Sequence, residues 1–150
     1  MLKSEEIYKM NNLKKIKKGY YAVYEGKEYS SAFPKKDGTI IIRSYKKEDL
    51  ENGFIDISDT NIFEKCYKYV PTKNITELYD ITTTAIYEGV EFGIRQEKEG
   101  MLYITTGSIT GMGAIIEKYN MVQFDRGEYG MWVSIEDVEL KVRKKNVVIK

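Results

Sequence analysis

Histidine is absent from this chain of 150 residues, and its one cysteine is Cys66. The commonest general base, every Ser/Cys-His-Asp triad and nearly all zinc chemistry are thereby excluded. Cys66 has Lys65 and Lys68 nearby, and cations lower a thiol pKa. A thiolate nucleophile would find no base here, so a passive strand position is the plainer role. A lone Cys forms no internal disulfide, and a cytoplasmic setting follows as the simple expectation. Carboxylates are plentiful: Asp56, Asp59, Glu64, Glu88, Glu91, Glu97 and Glu99. A glycosidase needs two of them facing each other across a cleft, and the spacing selects no such pair. The segment Thr105-Thr106-Gly107-Ser108-Ile109-Thr110-Gly111-Met112-Gly113 joins a strand signal to a helix signal. Gly-rich loops of this kind cradle phosphate on backbone N–H groups. No Lys follows the last Gly, however, and Ile116 stands where a dinucleotide fingerprint needs Gly. It reads as a turn and a helix start. No catalytic residue, cofactor or metal is expected.

The elements that carry these residues come in two copies. Ala22-Val23-Tyr24-Glu25-Gly26-Lys27-Glu28-Tyr29 is repeated as Ala85-Ile86-Tyr87-Glu88-Gly89-Val90-Glu91-Phe92, 63 positions on. Asp37-Gly38 and the run Thr39–Ser44 correspond to Glu99-Gly100 and Met101–Thr106, 62 positions on. An acid-Gly pair before an apolar run signals a hairpin turn. A short helix is predicted after each run. The first is Ser44–Asn52, with Ser44 as N-cap and Gly53 as the stop; the second is Thr110–Asn120. Strand signals resume at Phe54-Ile55-Asp56-Ile57, matched by Met121-Val122-Gln123-Phe124. Tyr69-Val70-Pro71 is matched by Trp132-Val133-Ser134. The copies close with Ile75–Ile81 and Val138–Val142, and Asn146–Ile149 adds an edge strand.

Each copy thus supplies about five short strands, tight turns and one helical insert, the pattern of a small β-barrel. The expected fold is mostly β: two tandem barrels packed on each other. A unit this small buries only about 60% of its unfolded surface and is marginal alone. The expected divisions are a basic N-terminal segment, 1–18, a first repeat, 19–80, and a second repeat with a basic C-terminal strand or tail, 81–150. Within the first segment Ser4, Glu5 and Glu6 open a predicted helix carrying Ile7 and Met10, ended by Asn11-Asn12. No run of about 18 apolar residues exists to span a membrane.

Ala22-Val23-Tyr24-Glu25 and Ala85-Ile86-Tyr87-Glu88 resemble the Ala-Leu-Tyr-Asp opening of SH3 domains. Tyr69-Val70-Pro71-Thr72-Lys73-Asn74-Ile75 is similar to the SH3 closing run, and Trp132-Val133-Ser134-Ile135-Glu136-Asp137-Val138 is a weaker version. The resemblance covers residues 20–142 and implies tandem SH3-like barrels. It implies that Tyr24 and Tyr87 face ligand, although packing across the sheet is the plainer role for both. Peptide-binding SH3 domains hold a polyproline helix against aromatics. The groove Tyr is replaced by Asn74 and Asp137, and the groove Pro by Ser134 in the second copy, so Pro-rich peptide recognition is not expected. Trp132, the only Trp, is a core anchor or a ligand platform.

Charge narrows the partner. Residues 1–20 carry six Lys and two Glu; residues 141–150 carry five Lys or Arg and no acid. Since the whole chain is +1, the segment between is net −8. Compact, His-free, acidic-bodied proteins look like the immunity proteins of bacterial toxin systems. That resemblance implies a protein partner, a toxin whose basic cleft an acidic face would occlude. Tyr24, Glu25, Tyr87, Glu88, Glu91 and Trp132 are the expected contact residues. Nucleic acid, held by the basic ends, is the alternative partner, and the acidic body weighs against it. Nothing in the sequence sets the oligomeric state.

Overall fold

The computed structural model describes residues 3–9, 16–58, 62–107 and 112–149. The protein is mostly β and divides into two compact units. One comprises Met1–Lys3, Lys18–Ile81 and Lys144–Lys150; the other comprises Ser4–Lys17 and Thr82–Arg143. The units take up the ends of the chain crosswise, unlike the expected division at 18 and 80.

Among the described residues the strands are β1 (Lys3–Lys9), β2 (Gly19–Tyr24), β3 (Lys27–Ser31), β4 (Thr39–Ser44), β5 (Ile55–Asp56), β6 (Cys66–Pro71), β7 (Ile75–Tyr87), β8 (Val90–Lys98), β9 (Met101–Thr105), β10 (Val122–Asp125), β11 (Glu128–Ser134) and β12 (Val138–Asn146). In the first unit the order is β7-β2-β3-β4-β6-β5, antiparallel throughout. A 3-10 turn, Lys47–Asn52, precedes β5, and another, Thr72–Asn74, leads into β7. In the second unit β7, β8, β9, β11 and β10 follow one another antiparallel, and β12 pairs with β7 and β1. Helix α1 (Gly113–Tyr119) precedes β10, and a 3-10 turn, Ile135–Asp137, leads into β12. The two meanders match element for element, as the sequence offset requires.

The Glu-Gly pairs explain why the repeat begins as it does. Glu25 and Gly26 have φ of 50° and 76°, Glu88 and Gly89 have 48° and 81°, and both pairs close two-residue hairpins. Positive φ at both central positions is the type I′ geometry that matches strand twist. Glu99 and Gly100 repeat it between β8 and β9, with φ of 49° and 77°.

Alternating side chains then build one core per unit. Ala22, Ile40, Ile42, Val70 and Ile75 are buried in the first; Ala85, Leu102, Ile104, Val133 and Val138 hold the equivalent places in the second. Each of the Val, Leu and Ile side chains contributes about 1.5–3 kcal/mol when fully buried.

Three local expectations are corrected. The N-terminal segment is strand β1, not a helix opened at Ser4, because pairing with β12 outweighs a one-turn helix signal; Met10, Asn11 and Asn12 lie outside the described residues. The first predicted helix is a 3-10 turn starting at Lys47. Ser44 ends β4 instead of capping it, donating to the Asp49 carboxylate and accepting from the Lys46 N–H. In the second copy α1 starts at Gly113, and Asn120 closes it in the left-handed region; Thr110 lies outside the described residues. The basic C-terminal segment takes the strand alternative, but the edge strand expected over Asn146–Ile149 does not form: β12 ends at Asn146, and the Val147 N–H then donates to Leu78 O at 2.9 Å. No described helix is long and apolar enough to cross a membrane.

Candidate functional site

Strands β9 and β11 of the second unit turn Leu102, Ile104 and Val133 inward. The alternate positions face out, and they include the aromatic residues Tyr103 and Trp132. Trp132 stands opposite Tyr103, which stands opposite Gln96. The Tyr103 ring meets Trp132 at 5.1 Å between centroids and Phe124 at 5.6 Å, both edge to face. Gly130 makes room for it: a β-carbon there would overlap Cε2, Cζ and Oη of Tyr103. Arg95, at the bulge in β8, lies over Phe124 at 4.7 Å. Trp132 is 43% exposed and Val122 66%.

The first unit carries the counterpart. Tyr69 stands opposite Ile41, and Tyr67 stands opposite Arg43 on one side and Ile55 on the other. The Tyr67 and Tyr69 rings meet at 5.5 Å, and Lys35 Nζ lies 5.1 Å over Tyr69. Tyr69 is 50% exposed and Ile55 55%. By the sequence repeat, Tyr69 corresponds to Trp132, Ile41 to Tyr103, Ile55 to Val122 and Ile57 to Phe124. In each unit the three register rows at the centre of this face carry no carboxylate. Glu128 and Asp125 lie at the hairpin end beyond these rows in the second unit.

The residues expected from sequence are dispersed. Tyr24 and Glu25 line a cleft of about 80 Å³ with Lys27, Tyr29, Asn52 and Phe54. Lys68 lines it too, its Nζ 5.3 Å over Tyr24 and donating to Asn52 O at 3.0 Å. That space is far below the ~300 Å³ of ordinary small-molecule sites. Tyr87 packs against its unit's core, edge to face with Tyr119 at 5.6 Å. Its phenol pKa is raised, first by a hydrogen bond to Glu88, then by burial and by the charges of Glu88 and Asp137. Glu91 forms a bidentate pair with Arg143, at 2.6 Å to Nη1 and 2.9 Å to Nη2, and accepts from Thr84 Oγ1 at 2.8 Å. Lys141 stands 3.7 Å away, and Glu5 of β1 reaches both cations. The Arg143 hydrogen bonds, with Thr84 and the charges of both cations, bring the Glu91 carboxyl down to about 2 against the opposing effect of burial. Trp132 alone among the expected residues belongs to the outer faces.

Other candidate groups are absorbed locally. Burial, then the charges of Asp49 and Asp56, push the Cys66 thiol up. Asp56 accepts from the Ser58 N–H at 2.8 Å. Asp59 and residues 108–111 of the Gly-rich segment lie outside the described residues. Among the described residues no three His, Cys, Asp or Glu side chains cluster closely enough to hold a metal. Sequence reasoning missed Tyr103, Phe124, Arg95, Tyr67 and Tyr69 as a face. The available signal was the unbroken apolar run Met101–Ile104, too hydrophobic for a strand with one wet side.

These features define a class: a mostly β protein built from a duplicated antiparallel meander, each copy with an aromatic outer face. The chain belongs to the family described as Uncharacterised conserved protein UCP033725, whose model matches residues 16–150. No curated protein and no solved structure matched it.

Proposed function

We propose that this is a cytoplasmic, non-catalytic protein-binding module made of two SH3-like barrels, each binding through its outer sheet face. The repeated six-strand meander, with its last strand returning to its first, supports the barrel reading. Asn74 and Asp137, in the 3-10 turns, present no aromatic ring there, which supports a mode other than polyproline capture. The observation that carries the function is the retention, in both copies, of an exposed aromatic face whose central register rows carry no carboxylate. Tyr, Trp, Phe, Met and Arg are enriched at protein interfaces, and Asp and Glu are depleted. Affinity capture from the protein's own cells, with the wild type beside Tyr69→Ser/Trp132→Ser, tests it. Partners retained by the wild type and lost by the variant are expected; a variant that keeps them all contradicts the reading.

A second reading, occlusion of a basic toxin cleft, is favoured by the acidic environment of Tyr87, where Glu88 and Asp137 both raise the phenol pKa. Glu88→Lys/Asp137→Lys is then expected to abolish toxin neutralisation while Tyr69→Ser/Trp132→Ser leaves it intact; the reverse pattern contradicts it. Nucleic-acid binding by the basic ends has less support. Lys141 and Arg143 face Glu5 and Glu91, and Lys144 lies 3.7 Å over the Tyr79 ring.

A further inference from the structure

The body of the chain is acidic, yet the charges on its two aromatic faces are positive. In the second unit Arg95 lies over Phe124, and Lys98 stands in register with Met101 beside the Tyr103 row. In the first, Lys35 lies over Tyr69, and Arg43 stands opposite Tyr67. Among the described residues none of these four cations has an ion-pair partner, whereas Lys141 and Arg143 each have two. The same pairing of a ring with a cation outside any ion pair has survived in both copies, although Asp37 lies within electrostatic reach of Lys35 and the residues that supply the pairing differ. A ring under a guanidinium or ammonium fixes the position of the cation and leaves its N–H groups free to donate.

Resting on the protein-binding reading, we infer that the partner of each face is an extended acidic peptide segment, its apolar side chains on the rings and its carboxylates on Arg95 and Lys98 or on Lys35 and Arg43. A sheet face with a central ring row suits a strand-like ligand, whose alternate side chains point one way. Charge complementarity of this kind sets specificity and on-rate more than total affinity. The duplication gives two such segments per chain.

The test pans a random peptide phage library on the full chain, then measures the consensus peptide by calorimetry. Arg43→Glu/Arg95→Glu and Lys35→Glu/Lys98→Glu replace exposed cations, and circular dichroism checks that both variants fold. Expected are acidic consensus peptides binding two per chain, weakened about tenfold or more by each charge reversal and by added salt. Binding is expected to persist in Glu88→Gln. Neutral or basic peptides that survive the charge reversals but not Tyr69→Ser/Trp132→Ser would overturn the acidic partner and leave the faces as the binding surface. Peptides indifferent to Tyr69→Ser/Trp132→Ser would overturn the faces themselves. Oligothymidylate bound more tightly than any peptide, and lost in the same variants, would make the occupant a nucleic acid and overturn this inference.

Discussion

Glu91→Gln removes one charge from the ladder that joins β8, β12 and β1 and changes little in volume. The carboxyl falls from its ordinary 4.5 to about 2 in the folded protein. At about 1.36 kcal/mol per pH unit, a fully shielded group would contribute about 3 kcal/mol. The Glu91 and Arg143 side chains are 36% and 37% exposed, so solvent screening reduces this to about 1–2 kcal/mol. The sign follows from the direction: a folded-state pKa below the unfolded one stabilises the protein above about 4.5, and that contribution is lost as pH falls towards about 2. Urea unfolding of the wild type and Glu91→Gln across this range is the assay. The variant is expected to be less stable at neutral pH by about 1–2 kcal/mol. The gap should close as the wild-type carboxylate is protonated. A gap that stays constant with pH, or a variant as stable as the wild type at neutral pH, would refute the assignment of Glu91 to this pair.

Three further outcomes follow from the local geometry. Glu99 holds a positive φ in a type I′ turn, so Glu99→Asn is expected to stabilise by about 0.5–1 kcal/mol, seen as a rise of a few degrees in Tm; a lower Tm would contradict the turn type. Gly130→Ala is expected to cost about 1–3 kcal/mol by driving Tyr103 off the sheet, with most of the loss recovered in Gly130→Ala/Tyr103→Ser. Additive losses in that double-mutant cycle would mean that Tyr103 does not rest there. Truncation after Asn146 removes Val147 and Ile149, which pack against the first unit's core, and is expected to cost about 2 kcal/mol. Hydrogen exchange should show faster opening at β2 and the first half of β7; unchanged protection there would contradict the packing.

The duplicated scaffold was legible because its signals are local. The Glu-Gly pairs at 25–26, 88–89 and 99–100 dictate hairpins through backbone sterics alone, and the apolar runs that follow mark strands. What was not legible depends on distant partners. Ser4-Glu5-Glu6 carries a helix signal, but β12 claims it as a strand, and Arg143 is 138 residues away from Glu5. Glu91 offered itself as a free carboxylate because Arg143, 52 residues away, leaves no local trace. The C-terminal cations looked like a tail for the same reason, since Glu5, Glu91 and Tyr79 engage them only in the fold. The outer faces were hidden in runs such as Ile40-Ile41-Ile42 and Met101–Ile104. Composition could not say that one side of each run stays in solvent.

Whether binding takes place on the outer faces is most directly measured by ¹H–¹⁵N NMR of the full chain titrated with the selected peptide. Shifts confined to the Trp132 indole N–H, Tyr103, Phe124 and their counterparts Tyr69, Ile41 and Ile57 are expected. Shifts centred instead on Tyr87, Glu88 and Asp137, with the Trp132 indole unmoved, would contradict it.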